Sequence, residues 1–283
     1  MGQRIAVVTD SSAYIPAEEC EGLDIRVIPL WMFWDDDRIQ DGVDLTPDQF
    51  YTRLKNSQTI PTTSQPSAGE FKAFFEQVAE SCDAICAVLV SSQLSGTVAS
   101  ALAAVEELPE IPIEVVDTLG VSMSLGFCVL AAARAAAQGC SLAEAADAAR
   151  QMSRQVHFLF VVDTLEYLHK GGRIGGAKAL FGTALSIKPL LHFQEGRIEP
   201  LMQVRTKKKA VTTMLDQAAA RLAGKKMIEA ALLDIDVPVE GDQVAELVKE
   251  RFPGVRLIRS TVSPVVGTHA GPGTIGLAFY GEA

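Results

Sequence analysis

Residues 84–97, AICAVLVSSQLSGT, decide how this chain folds. Ala84–Val90 is a continuous apolar run with no polar alternation. It is short for a helix and reads as a strand covered on both faces. Ser91–Thr97 then breaks the run with hydroxyls and a glycine, and VASALAAVEE restarts at residue 98 with helical spacing. A buried strand, a polar turn and a helix make half of a crossover unit, which implies a parallel sheet.

The same alternation extends both ways. Arg4–Thr9, Ile25–Leu30 and Ile113–Val116 are further strand-like runs. Thr46-Pro47-Asp48 opens a helix with a capping hydroxyl and Pro at the first helical position. Ser67-Ala68-Gly69-Glu70 fits a capping box for a helix to about Cys82. Beyond the alanine-rich stretch Ala131–Ala149 the pattern changes. Val156–Val162 is strand-like, and Gln194-Glu195-Gly196-Arg197 joins two strands as a hairpin. Helices over about 206–222 and 240–251 alternate with strands near 227–233, 255–262 and 274–280. The expected fold is α/β in two domains. Residues 1–153 form an α/β domain whose parallel sheet is flanked by helices, and residues 154–283 form an α+β domain with a mixed or antiparallel sheet.

Composition narrows the function. The chain has 283 residues, with 25 Lys plus Arg against 35 Asp plus Glu, a formal net charge of −10. That balance argues against nucleic acid as a partner, because a polyanion needs a basic face. Hydrophobic residues reach 48%, yet no apolar stretch approaches the roughly 18 residues of a membrane span, so no stable membrane insertion is expected. The amino-terminal MGQRIAVVTD lacks a secretory pattern, and Ala6 stands where acylation of Gly2 would need a hydroxyl. Five cysteines without a CxxC pair suit packing in a reducing, cytoplasmic setting.

Several catalytic patterns fail on inspection. Asp10 ends the first strand, but Ser12 stands where an aspartyl phosphatase carries its second Asp, so a turn-forming role is favoured. Gly271–Gly276 matches GxGxxG by letter, with no room left for the helix and strand of a dinucleotide site. Gly171–Lys178 resembles a phosphate loop, but Ala177 takes the place of the lysine. The four histidines are scattered and no metal spacing exists, so neither a metal nor a cofactor is expected.

Three hydroxyl-rich turns remain: Pro61-Thr62-Thr63-Ser64-Gln65-Pro66-Ser67, Ser91-Ser92-Gln93-Leu94-Ser95-Gly96-Thr97 and Gly267-Thr268-His269-Ala270-Gly271-Pro272-Gly273. The second precedes a helix whose unpaired N–H groups favour an anion, and Ser92, Ser95 and the backbone at Gly96 add to it. The same residues also suit an ordinary N-cap. A loop histidine, His269, and a basic run, Arg205-Thr206-Lys207-Lys208-Lys209, accompany the turns; a solvated helix start is the plain alternative for the run.

VVTDSSAYIP, IPTTSQPSAGEF, VSSQLSGTVASA, VVDTLGVSMSLGF, LEYLHKGGRIGG, IKPLL, GRI…VRTKKKA and THAGPGTIG together resemble the DegV family of bacterial fatty-acid-binding proteins, in family order from about Ile5 to Tyr280. The resemblance implies a long-chain, palmitate-like fatty acid held between two α/β domains. It further implies that the acyl carboxylate is presented to a separate ATP-dependent kinase subunit, which makes an acyl phosphate for phospholipid synthesis. Carried over by position, Thr63 and Ser95 resemble the hydroxyls that hold the carboxylate, with Thr62 adjoining. His269 and Arg205 resemble basic residues near the same head group, and Arg173 falls in a segment tied to domain contacts or partner docking. Such a chain is a lipid-binding subunit, not an enzyme by itself.

The chemistry is consistent with that implication. Roughly a dozen buried methylenes are worth on the order of 10 kcal/mol gross, whereas a bare buried carboxylate costs several kcal/mol and needs donors. Two alternatives stand beside it: a self-sufficient phosphotransferase or phosphatase using Asp10 or His269, and a binding module for another amphiphile.

Overall fold

The computed structural model describes residues 3–182 and 187–282, so Gly2 lies outside the described residues. Along the chain run β1 (Ile5–Asp10), β2 (Ile25–Ile28), β3 (Trp31–Trp34), β4 (Asp37–Gln40), α1 (Pro47–Asn56), β5 (Thr62–Ser64) and α2 (Ala68–Ala79). Then come β6 (Ala84–Leu89), α3 (Thr97–Glu106), β7 (Ile113–Asp117), α4 (Met123–Ala137) and α5 (Leu142–Gln155). The remainder is β8 (His157–Val161), α6 (Glu166–Lys170), β9 (Lys188–Gln194), β10 (Arg197–Val204), α7 (Lys207–Leu222), β11 (Met227–Asp234), α8 (Pro238–Arg251), β12 (Arg256–Ser260), α9 (Pro264–Ala270) and β13 (Ile275–Gly281). None of the described helices is long and apolar enough to cross a membrane.

The chain divides into two compact units. Residues 1–45 with 63–154 form the first, and residues 46–62 with 155–283 form the second. A single boundary near residue 153 leaves out this early excursion: α1 belongs with the carboxyl-terminal half, and the chain re-enters the first unit inside β5, between Thr62 and Thr63.

In the first unit, β2-β1-β6-β7 form a fully parallel sheet. Every residue of β1 and β6 is buried, as the unbroken apolar runs require. Ala6, Val8, Ile85, Ala87 and Leu89 pack on Phe71, Phe75, Val98, Ala101 and Ala104 of α2 and α3. α4, buried throughout Met123–Leu130, packs on β1 and β6. A second, three-stranded sheet, β4-β3-β5, was not read from the sequence.

In the second unit, a six-stranded sheet runs β10-β9-β8-β13-β11-β12. Its neighbours are antiparallel except β11 and β12, so the sheet is mixed. The hairpin between β9 and β10 turns at Glu195 and Gly196, both at positive φ (50° and 79°), as a two-residue turn of the primed type demands. Met214, Leu215, Ala218, Val244 and Val248 of α7 and α8 cover Leu159, Leu190, Leu232, Leu277 and Phe279 of the sheet. Both expected sheet types are therefore present.

Candidate functional site

Parallel sheets bind ligands beyond their carboxyl ends, where the strand order reverses. In the first unit that point lies between β1 and β6, and Asp10 occupies it. Its side chain is fully buried: Oδ2 accepts from Val90 N at 2.8 Å, and Oδ1 accepts from Ser12 N at 3.0 Å and Ser12 Oγ at 2.5 Å. Burial pushes the Asp10 carboxyl up, against the hydrogen bonds from Ser12 and Val90. Such a carboxylate is spent on structure and is not exposed for attack on a phosphoester. It anchors the strand end from which the Ser91–Thr97 turn departs.

That turn closes on itself. Leu94 N and Ser95 N both donate to Ser91 O, at 3.0 and 3.1 Å. Ser95 Oγ shares a hydrogen bond with Thr97 Oγ1 (2.8 Å) and accepts weakly from Thr97 N (3.4 Å). Ser95 is half-buried at the amino end of α3, whose N-cap, Gly96, offers no side-chain acceptor. Only Thr97 N is met, weakly, by a side chain of the turn, and the partial positive charge of the first-turn N–H groups favours an anion there. Ser92 is exposed, its N–H turned to Asp117 Oδ1 (3.2 Å), so it stands apart from this corner.

The other hydroxyl turn meets this one directly. A Cβ placed on Gly96 would lie 2.8 Å from Gln65 Nε2, so the Gln65 amide packs on the bare glycine. The TTSQPS and LSGT segments therefore share a seam, with Thr63 and Ser95 both half-buried near it. The role of Gln65 was missed from the sequence, where Gly96 in the facing turn was its one signal; with φ −76° that glycine is explained by the contact and not by backbone freedom. Thr62 is exposed and falls on the other side of the unit boundary.

In the second unit, His269 lies in a short helix, not the loop expected. Pro264 begins α9, Ser263 Oγ accepts from Val266 N (3.3 Å), and Gly271 ends the helix at φ 77°. The imidazole packs on Gly171, where a Cβ would overlap Nδ1, and Gly271 in turn packs on the Tyr167 ring. The HKGGRI and THAGPG segments are thus one assembly. Burial, reinforced by the Arg173 guanidinium, pulls His269 down to about 4, so it is a neutral imidazole near neutral pH. Arg173, whose role was open, donates to Gly171 O at 2.8 Å and stands beside His269.

Arg205 is exposed at the start of α7 and makes no ion pair or hydrogen bond among the described residues. The basic run is only partly solvated, because Lys207 is bound to Glu240 (2.6 Å) and faces Asp163 (3.8 Å). Asp163 also packs on Gly273 of the THAGPG segment and takes Lys188 at 3.1 Å.

A cavity of about 300 Å³ opens in the second unit, lined by Tyr51, Asp234, Asp236, Arg259, Thr261 and neighbours. Of its charges, Arg259 pairs with Asp234 at 2.8 Å and Asp236 with Lys55 at 2.8 Å, Asp48 adds a further carboxylate, and none of the expected ligand residues lines it. The cavity's lining is unsuited to an acyl tail.

Residues 4–282 match the family model described as uncharacterised protein, DegV family. A DegV domain-containing protein of Streptomyces coelicolor is 39% identical over 279 residues, 98% of each chain. Among solved structures, a DegV family protein from Thermus thermophilus described by its fatty acid binding is 34% identical, with a TM-score of 0.90 over 99% of this chain and 100% of that one. DegV of Bacillus subtilis, described as a fatty acid binding protein, is 33% identical with a TM-score of 0.91 over the same shares. With nearly every residue matched and the family's segments in place around both sets of turns, the chain belongs to the DegV family.

Proposed function

We propose that this protein binds a long-chain fatty acid and presents its carboxylate to a separate ATP-dependent kinase, which forms an acyl phosphate. The observation that carries the reading is the seam between Gln65 and Gly96, which joins two hydroxyl turns at the amino end of α3. Thr63 and Ser95 are assigned to the carboxylate, as hydroxyl donors beside the amino end of α3. The fatty acid binding described for the relatives from Thermus thermophilus and Bacillus subtilis supports the ligand class. His269 and Arg205 are assigned to the same head group through the family resemblance. The low affinity of His269 for protons suits it to donate a hydrogen bond without adding charge.

The chain's part in phosphoryl transfer is to orient one carboxylate oxygen and to offset charge that develops on it, while the partner supplies ATP. The expected cellular setting is the cytoplasm, where acyl phosphate feeds phospholipid synthesis. The buried, fully engaged Asp10 removes one of the two residues on which a self-sufficient phosphotransferase was imagined.

Mass spectrometry of lipid extracted from the purified chain is expected to find a long-chain fatty acid, palmitate or similar. Ser95→Ala is expected to weaken fatty acid binding about tenfold, the worth of one charge-assisted hydrogen bond, and Thr63→Ala comparably. Acyl phosphate should appear only when kinase and ATP are both added. Turnover of ATP by the chain alone, or the absence of bound and exchangeable acid, would reject the proposal.

A further inference from the structure

The carboxyl end of α7 holds a cluster of basic groups that the proposed function does not use. Arg221, in the last turn of α7, is half-buried, and its one hydrogen-bond partner among the described residues is His192 Nδ1 at 3.0 Å. His192 lies on β9 opposite Leu159 of β8, on the sheet face that α7 covers. His157, two residues earlier on β8, shares that face and packs against the Phe279 ring at 5.3 Å. Two imidazoles and a guanidinium therefore converge on one corner of the sheet.

Buried and half-buried cations are normally paired with carboxylates. Here the guanidinium finds only an imidazole nitrogen. The helix end offsets part of its charge but supplies no acceptor to it. Other polar groups facing the corner are Gln194 on β9 and Arg197 and Glu199 on β10, Glu199 being the register partner of His192. The Glu199 carboxylate is drawn over the backbone of Gly176. Asp216, the acid of the last turns of α7, pairs outward with Arg251 at 3.4 Å. The nearby Glu229 bonds to Arg256 and Tyr280. Because His192 accepts at Nδ1, its proton sits on Nε2, leaving that N–H and the remaining guanidinium N–H groups as donors with no acceptor among the described residues.

We propose that this corner binds an oxyanion, a phosphate or carboxylate group of a small molecule, through Arg221, His192 and His157. The site is separate from the acyl head group: α7 places it about 20 Å from Arg205 at the other end of the helix. Burial and the Arg221 charge together hold both imidazoles below the usual histidine range, at His192 against the opposing pull of the Phe193 backbone and the Glu199 carboxylate. A bound anion relieves that repulsion, so binding takes up protons and tightens as pH falls.

The test is an NMR titration of the full chain, following the imidazole signals, with inorganic phosphate, acetate, and sodium chloride at matched ionic strength. Saturable shifts of His157 and His192, unaccompanied by His169 and His269 and stronger at lower pH, are expected with phosphate or acetate. The tighter of the two identifies the group recognised. Arg221→Gln should weaken the response about tenfold or more while fatty acid binding stays unchanged. If that variant does not fold, His157→Gln serves, with a weaker response at His192 as the expected result. Shifts no larger with phosphate and acetate than with chloride, or undiminished in the folded variant, overturn the proposal. Fatty acid binding is read separately, so failure here leaves the acyl proposal standing, and the reverse holds.

Discussion

Gly171 shows how a residue with no functional atom shapes the candidate site. Its φ is ordinary, so backbone freedom does not explain it. What explains it is space, since a Cβ would overlap His269 Nδ1 and approach Tyr167 O to 3.1 Å. Gly171→Ala forces the imidazole off its seat. The expected cost is about 1–3 kcal/mol, typical of overpacking a closed site, read by urea denaturation, with a displaced His269 resonance. A variant as stable as the parent with an unmoved resonance would show that the ring yields freely. Gly96 is a gentler case, because its neighbour is the flexible end of Gln65.

Among the elements, α2 owes its start to a reciprocal cap that reaches beyond the helix. Ser67 Oγ accepts from Glu70 N (3.2 Å), and Glu70 Oε2 accepts from Ser67 N (2.8 Å). Glu70 Oε1 takes the Trp31 indole N–H at 2.9 Å and Arg38 at 3.3 Å, tying the helix to the β3–β4 hairpin. Burial pushes the Glu70 carboxyl up, but the bonds from Ser67 and Trp31 outweigh it and leave it below the usual carboxylate range. Ser67→Ala should cost about 1 kcal/mol, as for other N-caps, and should raise the Glu70 pKa in a carboxyl NMR titration; no movement there would mean Trp31 and Arg38 alone hold the group. This cap was legible from Ser67 and Glu70 alone, as were α1 from Thr46 and Pro47, β6 from its apolar run, and the β9–β10 hairpin from Glu195-Gly196. α9 was not. Seven residues are too few for a period to show, and Pro264, Gly267 and Gly271 suggest a turn. Gly267 is there because Tyr51 lies against it, a contact no local pattern announces. The β3–β4 hairpin escaped for a related reason: its turn bends at Asp35 with φ 54°, in place of glycine. At the candidate site the two hydroxyl turns could each be read, but their meeting through Gln65 depends on packing between distant segments.

For the whole molecule, acid sensitivity follows from its half-buried histidines. His269 holds its proton only below about pH 4, whereas in the unfolded chain it titrates near 6.5. From pH 6.5 down to 4 the unfolded chain binds a proton that the folded one refuses, so stability falls as pH falls. The loss is on the order of 3 kcal/mol at most from this residue. His157 and His192, also lowered, act in the same direction. Urea unfolding at a series of pH values should show this decline, and His269→Gln should flatten it; equal slopes for parent and variant would remove His269 from the account.

The excursion of residues 46–62 into the second unit also sets a timetable for synthesis. The first unit has all its strands and helices once residue 154 is made. By then α1 has long left the ribosome, with Phe50, Tyr51 and Leu54 destined for burial. Part of its cover, α9 with Gly267, is made roughly 10–40 s after Tyr51 at ordinary elongation rates. From the making of residue 154 until then, the amino-terminal unit carries a tethered helix with an uncovered apolar face. Completion of the second unit therefore comes well after that of the first, and the nascent chain offers chaperones one defined segment to hold.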